Sequence, residues 1–419
     1  MSEIKLKDEL AKYQKSMEKV YYFMLAFNLL SHVLQNSQMM LFIELLVRKI
    51  ANGTLTEGQV RLIIDSMINL RGLIVIPAIY TIFAEIDKTR EKLISIVFLA
   101  LGWFYSFYMR EWNDTLFFEL AALIIASYRK DFRRILKYSI WITGIVLIFG
   151  VILSVLHIIP SHYDMVRNGR VRHAFGITSP TGFAGYVCFV LLMVAFFKDG
   201  ELKWYDYTAV VVLSILNLWL TDGRVAFLCA ILLLIGTLLK NIGQAKKWKL
   251  PGKMAEMIKY MLLSAYIAVG GVFMLLVVSY RPEFYERFNG MPILESFAGR
   301  LEVPHRVMQS LPFSLFGSYY TEYYQSDHSF NQVGDYTFID SSYARMYLIY
   351  GLIGFALTMV ICTLMQWRLM KKNMIYRMYI LAICAVFFLV QRGIFEPDVF
   401  VFPLLITAAL TPQKEKENA

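Results

Sequence analysis

Charge is scarce in this chain: only 18% of its 419 residues are Asp, Glu, Lys or Arg, against 58% hydrophobic and 15% aromatic. That balance excludes an ordinary water-soluble domain and indicates an integral membrane protein. Cysteine is sparse too. Cys188, Cys229, Cys362 and Cys384 each fall inside an apolar run; they offer neither metal-ligand spacing nor a disulfide framework, and they read as core residues. No Gly-rich phosphate loop ending in Lys-Ser or Lys-Thr is found, which argues against a bound nucleotide. Nor is there an Asp-x-Asp pair. The nearest approach, Glu396 and Asp398 in "FEPD", reads as a turn around Pro397, so metal-independent chemistry without a cofactor is expected. Internal repeats and low-complexity tracts are missing, which removes sequence support for a two-fold transporter architecture. The first apolar run lacks a small-residue cleavage site and is expected to be a retained span.

What is present is about a dozen apolar runs, most close to the roughly 20 residues that cross a bilayer core. The expected fold is an all-α polytopic membrane protein, one domain over 1–419, with twelve transmembrane helices at 20–46, 63–85, 93–109, 114–127, 138–157, 180–197, 204–220, 225–240, 260–279, 342–366, 378–394 and 398–411. Residues 1–19 place Ile4, Leu6, Leu10, Tyr13 and Met17 at mostly three- and four-residue steps between lysines, the pattern of a cytoplasmic helix lying on the membrane. A long segment, 281–341, separates spans nine and ten. It holds Pro282, Pro292, Pro304 and Pro312 with many Tyr, Phe and Ser residues, and non-spanning segments of this length are usually functional.

With both termini placed in the cytoplasm, and Lys240, Arg345 and Arg392 at the ends of their spans counted with the adjoining segments, inside segments collect 27 basic residues and outside segments 14, with Arg71 left deep within a span, which accounts for all 42. The orientation rule is satisfied. It does not explain the residue types: the inside set is 21 Lys and 6 Arg, whereas the outside set is 13 Arg and Lys49. Guanidinium is a planar fork that meets phosphate oxygens through two parallel hydrogen bonds, and ammonium is a hydrated point charge. An outer phosphate ligand accounts for the split. The alternative is that these arginines pack in partly buried segments or pair with acids such as Asp164 and Asp222.

Three outside stretches share this character: "RVRHAFG" (170–176), "TDGRVAF" (221–227) and "FAGRLEVPHR" (297–306). Each sets arginine beside glycine or at the mouth of a span, where a bulky anion could approach the backbone. Arg170, Arg172, His173, Arg224, Arg300, His305 and Arg306 are the candidate ligand-binding residues, with His328 of the long segment and Tyr343 beside them. "FIDSSYARMYLIYGLIG" (338–354) puts Asp340 at the expected outer start of a span. A carboxylate there can accept a proton from a hydroxyl, or the Asp-Ser-Ser run can serve as a helix cap. Arg71 lies deep in the second span, where charge is costly and usually paired. Glu119 of the fourth span is its expected partner, and a lipid phosphate the alternative.

In their order along the chain, Arg172 to Gly176, Asp222 to Arg224, Gly299 to Arg300, "LFG" at 315–317 and the Asp340 to Gly354 block resemble the Wzy-type polysaccharide repeat-unit polymerases, which belong with the O-antigen ligases. The resemblance covers roughly residues 165–395. It implies a GT-C-like membrane enzyme that builds O-antigen, exopolysaccharide or capsule at the outer face of the bacterial cytoplasmic membrane. The implied substrates are oligosaccharide units on polyprenyl diphosphate, the implied surroundings are the lipid bilayer, a flippase and a chain-length regulator, and no nucleic acid is involved. Carried over, Arg172, Arg224 and Arg300 would neutralise the leaving diphosphate. Asp340 stands where the ligases carry a catalytic histidine, so it is the expected base, with His328 and His305 as substitutes. A ligase and a twelve-span transporter or flippase are the rival expectations; major-facilitator carriers place their long loop inside, between equal halves.

Overall fold

The computed structural model describes residues 3–51, 55–108, 115–159, 165–167, 170–246, 251–283, 292–311, 314–318, 320 and 338–410. It divides into two compact units, Met1–Pro160 with Phe395–Ala419, and Ser161–Ile394.

In the first unit, α1 (Glu3–Gln35) runs unbroken from the lysine-rich segment into the first apolar run, because nothing between them interrupts a helix. It stops at the polar triplet Asn36-Ser37-Gln38, and α2 (Met39–Ile50) begins anew, so the expected span 20–46 is two helices. Helix α3 (Glu57–Asn69) opens on a capping box in which the Thr56 hydroxyl accepts from the Gln59 amide at 3.3 Å and the Gln59 side chain accepts from the Thr56 amide at 2.9 Å. It continues through a 3-10 turn (Leu70–Ile74), α4 (Val75–Tyr80) and a π turn (Thr81–Glu85). Helices α5 (Thr89–Tyr108), α6 (Leu116–Ala126) and α7 (Phe132–Val155) follow, α7 capped by the Asp131 carboxylate on the Arg133 amide at 3.1 Å. Helix α6 is buried along nearly its whole length, with Tyr105 stacked on Phe117 at 5.0 Å and Phe395 edge-on to the same ring at 4.8 Å.

The expected span 398–411 is not a helix beyond the short 3-10 turn Phe402–Ile406. Pro397 and Pro403 deny it amide donors, and its backbone pairs instead with the start of α7: Ala409 donates to Lys130 O at 2.7 Å, and Phe132 to Ala409 O at 2.9 Å. Its apolar side chains are buried inside the unit. The apolar run therefore reports core packing.

The second unit begins with a hairpin of β1 (Met165–Arg167) and β2 (Arg170–Arg172), Arg167 facing Arg170 and Met165 facing Arg172. Among the described residues its helices include α8 (Pro180–Phe197), α9 (Trp204–Thr221), α10 (Arg224–Ala245), α11 (Gly252–Leu263), α12 (Ala265–Val278), α13 (Pro292–Ser310), α14 (Ser342–Leu348), α15 (Gly351–Lys371) and α16 (Ile375–Phe387). Helix α16 packs on α8, α10, α12 and α15 and is buried on most of its surface.

Among the described residues, six helices are long and apolar enough to cross a membrane, or seven if α11 and α12, bent by 53°, make one span. Twelve were expected. At 1.5 Å per residue, the 11-residue α6 and 13-residue α16 reach only about 16 and 20 Å. The expected span 342–366 is also broken, into α14 and α15. At that break Gly351 has φ +74°, and a Cβ there would lie 2.3 Å from Gly317 N and 2.6 Å from Leu315 O. Leu352 and Ile353 donate to Ser314 O and Leu315 O at 3.2 and 3.0 Å, so the "SLFG" segment satisfies amides at the start of α15 that the helix cannot. Gly351→Ala is expected to cost about 2 kcal/mol or more, read as a lower melting temperature of the purified protein with membrane insertion retained.

Candidate functional site

Two of the three arginine segments meet at one turn. Helix α9 ends on Thr221, whose hydroxyl donates to Asn217 O at 2.6 Å and accepts from the Gly223 amide at 3.1 Å. Asp222 closes the helix in the left-handed conformation (φ 55°, ψ 34°), which Asp tolerates better than most residues. The turn is packed so closely that a Cβ on Gly223 would lie 2.6 Å from the Ala184 Cβ of α8. Arg172, at the end of β2 and only 8% exposed, donates from Nε to Thr221 O at 2.8 Å. The neighbouring His173 amide donates to Leu220 O at 2.9 Å. The hairpin and the α9–α10 turn are thereby tied together by backbone and guanidinium alike.

Arg224 is the first residue of α10. Its Nε and Nη2 form a fork on the Asp222 carboxylate, at 3.0 and 3.2 Å. Its Nη1 is buried and has no hydrogen-bond partner among the described residues. Thr221 and Arg224 are three residues apart, so their Cα atoms lie within about 11 Å of one another. A helix N-terminus presents its own amides and a positive dipole end to the same place. Two guanidinium groups and a helix start against one carboxylate make this turn suited to an anion.

The other expected residues are placed by different contacts. Arg300 is half-buried on α13, which packs against α12 and α14, and Arg306, on the same helix, is exposed. His305 has both ring nitrogens engaged: Nδ1 donates to Val277 O at 2.7 Å and Nε2 meets the Gln309 amide at 2.9 Å. With its second nitrogen accepting, the ring ties α13 to the end of α12 and has no lone pair to offer a hydroxyl. Tyr343 is wholly buried, its hydroxyl donating to Ala385 O at 2.9 Å and its ring filling the space over Gly270; it is a packing residue of the bundle. His328 and the side chain of Arg170 lie outside the described residues.

Asp340 is half-buried and stands one residue ahead of Ser341, which occupies the cap position of α14. The backbone beside it is anchored on the end of α16: the Ser342 amide donates to Phe388 O at 3.1 Å and its hydroxyl to Gln391 O at 2.6 Å. Two further arginines share this neighbourhood. Arg392 and Arg345 lie 5.2 and 5.9 Å from the ring of Phe338, within cation–π range. Both belong to the expected outer arginines, and no local pattern marks either, since only the fold sets 345 and 392 against one ring. Thr221 and Asn217, which build the turn, likewise carry no local pattern that marks them.

No family model, curated protein or solved structure matches the chain.

Gly223→Ala is expected to destabilise by about 1–3 kcal/mol through overpacking against Ala184, and to displace Arg224 with it. Thermal unfolding of the purified variant measures the first effect.

Proposed function

We propose that the chain is a polysaccharide polymerase that joins polyprenyl-diphosphate-linked oligosaccharide units at the outer face of a bacterial cytoplasmic membrane. The observation that carries this reading is the meeting of Arg172 and Arg224 at the Thr221–Arg224 turn, one guanidinium held by a carbonyl and the other by a carboxylate fork. Two further observations support it. Every residue of the family-like motif series falls in the unit 161–394, and the segments expected outside contain arginine almost to the exclusion of lysine.

In the proposed reaction a sugar hydroxyl of one unit attacks the anomeric carbon of the growing chain. The bond from that carbon to the diphosphate oxygen breaks, and the electron pair leaves with the lipid diphosphate. Arg172 and Arg224 stabilise the charge that builds there, with Arg300 brought to the same headgroup, and fixed donors of this kind need no reorganisation as the bond breaks. Asp340, on the anchored backbone before α14, takes the hydroxyl proton. No nucleotide takes part.

The decisive experiment supplies purified protein with a synthetic polyprenyl-diphosphate oligosaccharide and no nucleotide sugar. A ladder of products is expected. A single transfer to an added acceptor would assign the chain as a ligase, and transbilayer movement without transfer would assign it as a carrier.

Charged hydrogen bonds are worth about 1.5–3 kcal/mol each, so Arg172→Lys and Arg224→Lys should each lose roughly ten- to a hundredfold in rate while inserting normally. Wild-type rates in both would remove the bidentate argument. Asp340→Asn should abolish turnover; substantial remaining activity would make Asp340 a structural residue at the start of α14.

A further inference from the structure

One polar side chain near the arginine turn takes no part in the proposed reaction. The chain leaves α16 at Phe387 and then reaches Gln391, whose amide lies flat on α8: a Cβ on Gly185 would stand 2.9 Å from its Cδ, 3.0 Å from Nε2 and 3.1 Å from Oε1. Only glycine at 185 leaves room for that amide. The preceding residue, Ala184, carries the arginine turn. Its Cβ lies 2.6 Å from where a Cβ on Gly223 would stand, and its carbonyl accepts from Asn217 Nδ2 at 3.2 Å. Cα atoms of adjacent residues are about 3.8 Å apart, so one step along α8 separates the seat of Gln391 from the seat of the turn that holds Arg172 and Arg224. On its other side Gln391 is fixed through its backbone carbonyl, which accepts from the Ser342 hydroxyl at 2.6 Å, two residues beyond Asp340.

The amide itself is uncommitted. Gln391 is half-buried, and among the described residues its Nε2 and Oε1 have no hydrogen-bond partner. Asn217, the neighbouring amide on α9, is by contrast engaged with Ala184 O and the Thr221 hydroxyl. An amide held in place without protein partners is left to bond with water or a ligand. It offers two donors and one acceptor, and a hydroxyl group both donates and accepts. Being neutral, it gains less from a diphosphate oxygen than guanidinium does, and it suits the uncharged sugar that the diphosphate carries.

Resting on the polymerase reading of this same site, we propose that Gln391 binds the sugar attached to the lipid diphosphate, its amide meeting a ring hydroxyl while Arg172 and Arg224 hold the phosphates. Gly185 is the cradle that sets the amide beside the arginine turn, and Ser342 fixes its backbone to the segment that bears Asp340.

Equilibrium binding to the full-length protein in lipid nanodiscs tests this with two probes. One is polyprenyl diphosphate without sugar; the other is the polyprenyl-diphosphate oligosaccharide, methylated on its non-reducing sugar so that it cannot serve as acceptor. Gln391→Leu keeps a side chain over Gly185 but removes its polar atoms. It should weaken binding of the oligosaccharide probe about tenfold and leave bare polyprenyl diphosphate bound as in the wild type. If Gln391→Leu does not fold, Gln391→Asn, which draws the amide back by one methylene, should show the same split. Arg224→Lys should weaken both probes together. Equal loss on both probes in the Gln391 variants would make Gln391 a support of the arginine turn, and wild-type affinity for the oligosaccharide would leave its amide without a sugar contact; either overturns the proposal while the polymerase reading stands. Failure of the wild type to bind either probe overturns that reading, and the role of Gln391 with it.

Discussion

A polar group buried in an apolar bundle must be met by another polar group or it costs several kcal/mol, and both units are arranged around that demand. In the first, the Glu119 carboxylate gathers polar partners from α1 and α6 and the Arg71 guanidinium from the 3-10 turn. Two local departures from regular helix lie beside it. A 3-10 turn interrupts the 58–85 helix where Arg71 reaches Glu119, and α1 ends three residues after His32. In the second unit the same demand is met at helix ends: the Thr221 carbonyl takes Arg172, and the first amides of α15 take the carbonyls of 314 and 315.

The arginine turn owes its chemistry to how it is fixed. Asp222 points its carboxylate back at Arg224 and engages two of the three guanidinium nitrogens, which removes rotamer freedom that a ligand would otherwise have to restrict. A lysine at 224 would make one contact to Asp222 and keep several orientations. Arg224 is thus clamped on one edge by Asp222 while its Nη1 stays without a hydrogen-bond partner among the described residues.

Much of this was legible in the sequence where the signal was local. The α8 boundaries, 180–197, coincide with those expected, because Ser179 and Pro180 mark the start and a charged turn the end. The Arg71–Glu119 pair was also expected, since an intramembrane cation needs a partner and Glu119 was within reach. What escaped were features set by distant neighbours. His32 and Asn28 joined that pair through a contact spanning about ninety positions in the chain. The run 398–411 has the hydropathy of a span, yet its prolines and its pairing with 130–132 make it irregular. The 342–366 run reads as one helix because nothing local shows that 314–317 will insert its carbonyls at Gly351. Of the site, the arginines at 172 and 224 were found from charge type, whereas Arg345 and Arg392, brought to Phe338 from opposite ends of the α14–α16 region, had no distinguishing pattern.

The lock between 314–317 and Gly351 has a consequence for how this chain can vary. Ser314 closes its own turn, donating to Gly317 O at 2.6 Å and accepting from its amide at 3.0 Å, and Ser318 then donates to Ile349 O. These pairings fix the register of five consecutive residues against a helix start. Inserting or deleting one residue between 314 and 318 would shift every donor past its acceptor, so this short stretch should hold a constant length through evolutionary drift while its side chains diverge.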